Sequence, residues 1–189
     1  MQKCLLKCAY HVSKFKYHNT IKKELLSLLD TTPFKSPYEP QAETNITKTD
    51  WYDSQNFNRE WVKLINPTLI QGHMVDVYKD LGYDGYTLHE IWFQQYLNNS
   101  GHGWHTHSSN FTNVYYVELP ENSPTTKIVN PYNQTEIIEL DVEEGDVVVF
   151  PSFAIHKGPQ NISTSRKTIL SYNTNIIYSD KIYGQGLQE

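Results

Sequence analysis

The sequence predicts an α+β protein in which helices pack on one face of a β core. The chain has 189 residues, a length that suits one domain. In residues 1–85, apolar residues recur every three or four positions, as they do along one face of a helix. Residues 86–178 instead hold short segments rich in β-branched and aromatic residues, separated by glycine, proline and asparagine. We therefore predict a helical N-terminal region, a β core of the sandwich or barrel type, and a tail over residues 179–189.

Three helices are predicted in the N-terminal region. The first takes Asn19 or Thr20 as its N-cap and continues to residue 30. The second begins near residue 57. The third begins at Asn66 and Pro67, a cap residue followed by proline at the first helical position, and ends near residue 82. Residues 33–50 contain three prolines and predict a loop.

Six strands are predicted in the second half of the chain. Each is short, and turn-forming residues bound it on both sides. We expect residues 33–58 to form part of the entrance to any site in the core, with Trp51, Tyr52 and Phe57 as contacts. The predicted strands cover residues 86–97, 112–119, 126–129, 136–140, 147–150 and 168–177.

The composition excludes several classes of protein. No apolar run approaches the roughly 20 residues that a transmembrane helix needs, so no membrane partner is expected. The net charge of −5 argues against a general nucleic-acid binder. Cys4 and Cys8 match neither a redox motif nor half of a zinc finger, and the segment around them lacks the apolar run of a signal peptide. We expect free thiols and a cytoplasmic protein, and a homo-oligomer is compatible with these observations.

Eight histidines against two cysteines mean that any metal chemistry here uses imidazole ligands. His105 and His107 are two residues apart on an extended segment, so both rings point to one side and can reach one metal ion. Two hydrogen-bonded histidines would explain that pair alone equally well. His156 follows a later apolar strand, however, and Arg166 comes ten residues after it. Together these residues favour a metal site.

Residues 91–175 resemble the catalytic core of the iron(II)/2-oxoglutarate-dependent oxygenases, in particular small bacterial and phage members. The resemblance implies a double-stranded β-helix, also called a jelly roll, of the cupin-like type. It also implies Fe(II), 2-oxoglutarate and O2 in that core, and the host cytoplasm as the location if the chain is encoded by a phage. The resemblance depends on the order and spacing of His105-Thr-His107, Val114-Tyr-Tyr-Val117, Gly145-Asp-Val-Val-Val-Phe-Pro-Ser152, His156, Arg166-Lys-Thr168 and Ser171-Tyr-Asn173.

The resemblance implies that His105 and His156 bind the iron. His107 stands where members of the superfamily usually have a carboxylate. Three neutral imidazoles can bind Fe(II), and the site would then carry one negative charge less than usual. Two alternatives stay open: water could fill the third position, or Glu90 could supply the carboxylate.

The resemblance also implies that Arg166 binds the far carboxylate of 2-oxoglutarate, helped by the hydroxyl of Thr168. A guanidinium suits this role because it binds a carboxylate through two hydrogen bonds. The alternative for Arg166 is a salt bridge on the surface. Trp104 and His102 are secondary candidates for substrate contact. The further candidates for cofactor contact are Tyr96, Gln94, Tyr115, Asn113 and Asn173.

The resemblance implies a dioxygenase that hydroxylates its substrate and releases succinate and CO2. The substrate could be a small molecule, a peptide or a protein. One alternative is a cupin-like enzyme with a three-histidine metal site and no 2-oxoglutarate. Another is a jelly-roll binding protein without enzymatic activity, because this fold hosts unrelated functions.

Overall fold

Two antiparallel sheets face each other, and helices cover the outer side of the larger sheet. This computed structural model describes residues 10–34 and 44–177. Within those ranges no helix is both long and apolar enough to cross a membrane. The helices are α1 (His18–Thr31), α2 (Glu60–Ile65) and α3 (Met74–Asp80). The strands are β1 (His11–Lys14), β2 (Lys48–Thr49), β3 (Gly85–Tyr96), β4 (His102–His105), β5 (Phe111–Glu118), β6 (Lys127–Val129), β7 (Ile137–Glu139), β8 (Asp146–Pro151), β9 (His156–Gly158) and β10 (Lys167–Ile177).

The order of the strands confirms the predicted α+β fold with a jelly-roll core. The larger sheet has the order β1-β8-β5-β10-β3-β2, and the smaller sheet has the order β4-β9-β6-β7. Strands that are neighbours in a sheet are rarely neighbours in the chain, so the connections cross repeatedly between the two sheets. All six predicted strands are present, with ends within two residues of the expected positions. The predicted C-terminal tail and the two cysteines lie outside the described residues.

Residues of the larger sheet alternate between two apolar cores, as the period of two in a strand requires. On β10, Leu170 and Tyr172 face the helices and pack with residues of α1, α2 and α3. Ile169, between them, faces the smaller sheet and joins the interior of the barrel. On β5, Tyr115 faces the helices and Tyr116 faces the barrel. This alternation decides which polar side chains enter the barrel.

The prediction of a side-chain cap for α1 was wrong. The helix begins at His18, and its N-cap residue Tyr17 makes no side-chain capping hydrogen bond. Instead, the buried His18 ring bonds through Nδ1 to the hydroxyl of Tyr115 at 2.7 Å. It also packs against Gly145, whose φ of +90° would strain any other residue. A tertiary contact therefore fixes the start of this helix.

The prediction of a separate helix that begins at Asn66 was also wrong. The chain passes from α2 directly into a wide π-helical segment, Asn66–His73, and then into α3. Pro67 therefore lies in the interior of one continuous helical stretch and not at its start. In the interior of a regular α-helix its missing N–H would break a hydrogen bond. The wider turn is the local arrangement in which this proline is accommodated, and the Met74 N–H bonds back to the carbonyl of Leu69.

Four of the ten strands in the described residues were not predicted from the sequence: the short strands β4 and β9 of the smaller sheet, and β1 and β2 of the larger one. β1 pairs with β8 at one edge of the larger sheet, and β2 pairs with β3 at the other. β1 has four residues and β2 has two, so neither is long enough to show a clear alternation of apolar residues. Both strands cover edges that would otherwise expose unpaired backbone groups.

Candidate metal centre

Three histidines converge between the two sheets. One ring nitrogen of each of His105, His107 and His156 lies within 4.8 Å of the others. The ring centroids of His105 and His156 are 4.3 Å apart, and His107 is 5.1 Å from each. Among the residues that the structure describes, this is the group of histidine, cysteine or acidic side chains with the geometry to hold one ion.

Short strands of the smaller sheet place the three rings. His105 is the last residue of β4 and pairs directly with His156 on β9, so these two side chains are neighbours in the ladder. His107 lies two residues beyond β4. Its backbone N–H donates to the carbonyl of Ser152 at 3.0 Å, which ties the turn to the end of β8. Both members of the H-x-H pair therefore face the same space, as the sequence predicted.

Hydrogen bonds set the tautomers that a metal site needs. Nδ1 of His105 is 2.7 Å from the carbonyl of Gly103, and Nδ1 of His156 is 2.9 Å from the carbonyl of Ala154. Since a carbonyl only accepts, each Nδ1 carries the proton and each Nε2 keeps its lone pair. Nε2 of His107 is buried without any hydrogen-bond partner. A buried ring nitrogen without a hydrogen-bond partner is costly, and an ion bound at that nitrogen would remove the cost.

Burial keeps these rings uncharged. It lowers the pKa of His107 to about 4, although a hydrogen bond with Asn173 opposes the change. It lowers the pKa of His156 to about 2 and shifts the pKa of His105 in the same direction. Neutral imidazoles offer lone pairs at neutral pH, so the donor set suits a divalent transition metal such as Fe(II).

His105 and His107 lie in the wall of a cavity of about 540 Å³, and His156 lines a smaller cavity next to it. The size of the larger, outer cavity lies within the range typical of small-molecule sites. The outer cavity is formed by residues of β3, the segment 44–54 and the turn after β4. A second cavity of only about 20 Å³, the inner extension, lies deeper in the barrel beside Tyr96, Val114 and Ile169 and shares His105 and His107 with the outer cavity. The lining residues of the outer cavity are Ile46, Thr49, Trp51, Glu90, Trp92, Gln94, His102, His105, Thr106, His107, Ser108 and Asn173.

Several residues assigned from the sequence do line this cavity. Gln94 and Asn173 point into it from β3 and β10. Tyr96 borders the inner extension, and its hydroxyl donates to Oε1 of Gln94 at 2.8 Å. His102 stacks on His105 with ring centroids 3.8 Å apart. Their proposed contacts with cofactor or substrate stay predictions.

Glu90 lines the cavity without joining the three histidines. Its Oε2 accepts a hydrogen bond from Nδ2 of Asn173 at 3.0 Å. It is not part of the group whose ligand atoms converge, whereas His107 is. Of the alternatives left open by the sequence, this arrangement favours His107 as the third ligand.

Arg166 and Thr168 do not reach the cavity. The guanidinium of Arg166 binds Glu118, with Nε 2.8 Å from Oε2, and its Nη1 is 2.6 Å from Oδ1 of Asp30 on α1. The hydroxyl of Thr168 also bonds to Glu118. A bulge between β10 and β5 pairs Thr168 with Glu118 while Ile169 pairs with Tyr116, so all three polar residues meet on the helix side. The assignment of Arg166 and Thr168 to the cofactor therefore does not agree with their placement.

Tyr115 and Asn113 lie on the same outer side of the larger sheet. Tyr115 bonds to His18, and Asn113 bonds through Nδ2 to the Tyr172 carbonyl at 2.9 Å. Their cavity-facing neighbours on β5 are Thr112 and Val114 instead. The ring of Trp104 is 4.7 Å from Nζ of Lys157 and is not part of the cavity wall. The sequence interpretation assigned the odd-numbered residues of β5 to the cavity, whereas its even-numbered residues face it. An error of one position along a strand moves each side chain to the other face of the sheet.

The sequence reasoning missed Lys167. This residue is 2% exposed, and its ammonium lies 5.7 Å from the centroid of the Tyr96 ring and 5.9 Å from that of Tyr116. Nζ donates to the carbonyl of Pro124 at 2.6 Å. Burial lowers its pKa to about 8, and no salt bridge to it is present among the described residues. Counting back in steps of two from Asn173 would have shown that Lys167, and not Arg166, enters the barrel.

No protein-family model and no curated protein matches this sequence. Solved structures do match. An oxidoreductase of the 2OG-Fe(II) oxygenase family from Burkholderia pseudomallei superposes with a TM-score of 0.66, at 12% identity, over 88% of this chain and 84% of that one. This chain has the fold of the 2OG-Fe(II) oxygenases.

Two further structures support that statement. HygX from Streptomyces hygroscopicus, solved with nickel and 2-oxoglutarate bound, gives a TM-score of 0.67 at 10% identity, over 89% of this chain and 83% of that one. A prolyl-4-hydroxylase from Pseudomonas putida gives 0.62 at 12% identity, over 91% and 94%. The likeness extends over the helical region as well as the core.

Proposed function

We propose that this protein is an Fe(II)- and 2-oxoglutarate-dependent dioxygenase that hydroxylates an organic substrate. The observation that carries the proposal is the convergence of His105, His107 and His156, with Nε2 of His107 buried and unpaired. Neutral imidazoles in this arrangement suit Fe(II), and three protein ligands leave other coordination positions for small molecules. The fold is consistent with this reading, but a fold alone does not determine a function.

The protein's own residues would position the reactants. When bound, Fe(II) with 2-oxoglutarate and O2 supplies the oxidising power for hydroxylation, with release of succinate and CO2. The carbonyls of Gly103 and Ala154 hold the imidazoles in the tautomer that leaves Nε2 free. Trp92 stacks on His107, with ring centroids 5.7 Å apart, and shields one side of the site from water.

Lys167 is the residue that we assign to the far carboxylate of 2-oxoglutarate. It is a buried cation in the barrel interior, next to Tyr96, which borders the inner extension of the cavity. A buried ammonium without a carboxylate partner is costly, and a dianionic ligand that enters from the metal side would offset that cost. Ser171 lines the same extension and offers a hydroxyl.

A three-histidine enzyme without 2-oxoglutarate is the second candidate. The observation that favours it is the placement of Arg166, which binds Glu118 and Asp30 outside the cavity. The candidates differ in one product: only the dioxygenase forms succinate from 2-oxoglutarate. Detection of succinate during turnover in the presence of Fe(II) and O2 decides between them.

The metal site itself is tested by anaerobic titration of the protein with Fe(II) and 2-oxoglutarate. We expect the metal-to-ligand charge-transfer absorption of a chelated 2-oxoglutarate to appear at one equivalent of iron. His107→Ala should abolish this band or weaken Fe(II) binding by at least about tenfold, because it removes one of the three donors.

His89→Ala is the matched control for that titration. His89 lies on β3, one residue from Glu90, and its side chain is 45% exposed. This variant should bind iron as the unchanged protein does. Absence of the band in a folded protein would rule out the proposed function. A band of full strength in His107→Ala would show instead that His107 is not a ligand.

A further inference from the structure

The outer cavity is lined by one carboxylate and by no lysine or arginine among the described residues. Glu90 is the only Asp, Glu, Lys or Arg among the described residues that line it. Its side chain is 21% exposed. Oε2 accepts from Asn173, and the ring of His89 lies 3.7 Å from Oε1. No lysine or arginine forms a salt bridge with Glu90 in the part of the chain that the structure describes. Its negative charge is therefore largely uncompensated.

Tryptophan rings form the walls beside this carboxylate. Trp51 and Trp92 both line the cavity, on the segment 44–54 and on β3. The face of a tryptophan ring attracts cations within about 6 Å of its centroid. Trp51 is 43% exposed, whereas Trp92 is buried and its ring stacks on His107.

We infer that the substrate carries a protonated amine, which pairs with Glu90 in the outer cavity. This inference rests on the proposed function, since it names the class of substrate for the same site. A carboxylate in a cavity with an exposed aromatic ring such as that of Trp51 binds an organic ammonium through charge and through the ring face together. The carbon atoms next to the ammonium would then lie toward the three histidines.

Other classes of substrate fit this wall less well. An anionic group near Glu90 would meet like charge in a partly desolvated space, which is costly. A neutral group would leave the carboxylate uncompensated. The protein as a whole carries a net charge of −5, so its field also favours the approach of cations.

The test compares pentylammonium with 1-pentanol, which has the same carbon chain and a similar size without the charge. Binding is measured by tryptophan fluorescence, since Trp51 and Trp92 line the site, and by calorimetry. Both the metal-free protein and the protein loaded anaerobically with Fe(II) and 2-oxoglutarate are used. We expect pentylammonium to bind at least about tenfold more tightly than 1-pentanol. Glu90→Gln should remove that preference.

Glu121→Gln is the matched control, because Glu121 is exposed and lies outside the cavity. A second arm uses a short capped peptide with one lysine and its norleucine analogue. Preference for the lysine peptide over free pentylammonium, with the same dependence on Glu90, would assign the amine to a protein side chain. The reverse preference would assign it to a small molecule.

The two proposals fail in different ways. If the charge-transfer band forms but neither amine binds better than its neutral analogue, or Glu90→Gln keeps the preference, the inference about the substrate is wrong and the proposed function stands. If no band forms but the amine binds and depends on Glu90, the cation site stands and the proposed function fails.

Discussion

Two neighbouring basic residues at the start of β10 point to opposite faces of the larger sheet. Arg166 binds carboxylates on the helix side, whereas the ammonium of Lys167 lies inside the barrel against Tyr96 and Tyr116. The two side chains have similar charge and reach but different surroundings. Only one of them can meet a ligand that enters from the three histidines.

Lys167→Met should weaken binding of 2-oxoglutarate to the Fe(II)-loaded protein by at least about tenfold, or about 1.4 kcal/mol. The reason is that methionine keeps the length of the side chain and removes the buried charge. The dissociation constant is measured from the charge-transfer band under anaerobic conditions.

Arg166→Met is the matched control for this prediction. This variant should leave the dissociation constant of 2-oxoglutarate within about twofold, because Arg166 lies outside the cavity. It should lower the free energy of unfolding by about 1 kcal/mol, a small loss because the ion pairs of Arg166 are partly exposed. Loss of 2-oxoglutarate binding in Arg166→Met, with Lys167→Met unaffected, would return the cofactor role to Arg166.

The segment 44–54 forms one wall of the cavity and contains little regular structure of its own. It holds β2 and a single 3-10 turn, Trp51–Asp53. Asp50, 1% exposed, attaches it to the rest of the protein. Oδ1 accepts the N–H of Phe93 at 2.9 Å, and Oδ2 accepts from Nε1 of Trp61 at 3.0 Å and from the guanidinium of Arg59. One carboxylate therefore joins this segment to β3 and α2.

Asp50→Ala should lower the free energy of unfolding by about 3–5 kcal/mol, because it leaves the buried Arg59 without its partner. Urea denaturation followed by circular dichroism measures the change. Asp141→Ala, at an exposed position, should alter it by less than about 0.5 kcal/mol. An Asp50→Ala protein as stable as the unchanged one would show that this network does not hold the segment.

The stability of the whole molecule should depend on the pH through Lys167. Burial lowers its pKa in the folded protein to about 8, from the ordinary lysine value of 10.5 that it regains on unfolding. Between these values the unfolded chain binds a proton that the folded protein has released, so stability rises with pH in this window. The gain attributable to Lys167 between pH 8 and pH 9.5 is about 2 kcal/mol.

The measurement is urea denaturation of the metal-free protein at pH 8 and pH 9.5, compared with Lys167→Met. The variant should lack the increase. The comparison stays below pH 10 because buried tyrosines such as Tyr78 and Tyr86 have raised pKa values, so ionisation of the unfolded chain removes stability above that pH. An equal increase in both proteins would show that Lys167 titrates normally.

Local pattern was sufficient to predict much of this protein. The six strands of the second half and the α+β class followed from short β-branched segments between turn residues, and these depend on local preference. The H-x-H pair was found from spacing, because alternate residues of an extended chain face one side, and the distal histidine was assigned as a ligand through the family resemblance. The structure then brings all three rings together.

The tertiary structure decided what spacing along the chain does not encode. The bulge in β5 brought Glu118 opposite Thr168, where it binds Arg166, and the parity of β5 put Tyr115 and Asn113 beside the helices. The sequence by itself determined the three histidines and the kind of fold around them. Only the structure determined that Arg166 is held by Glu118 and Asp30, and that Glu90 bonds to Asn173 instead of joining the histidines, because these contacts join residues that are far apart in the sequence.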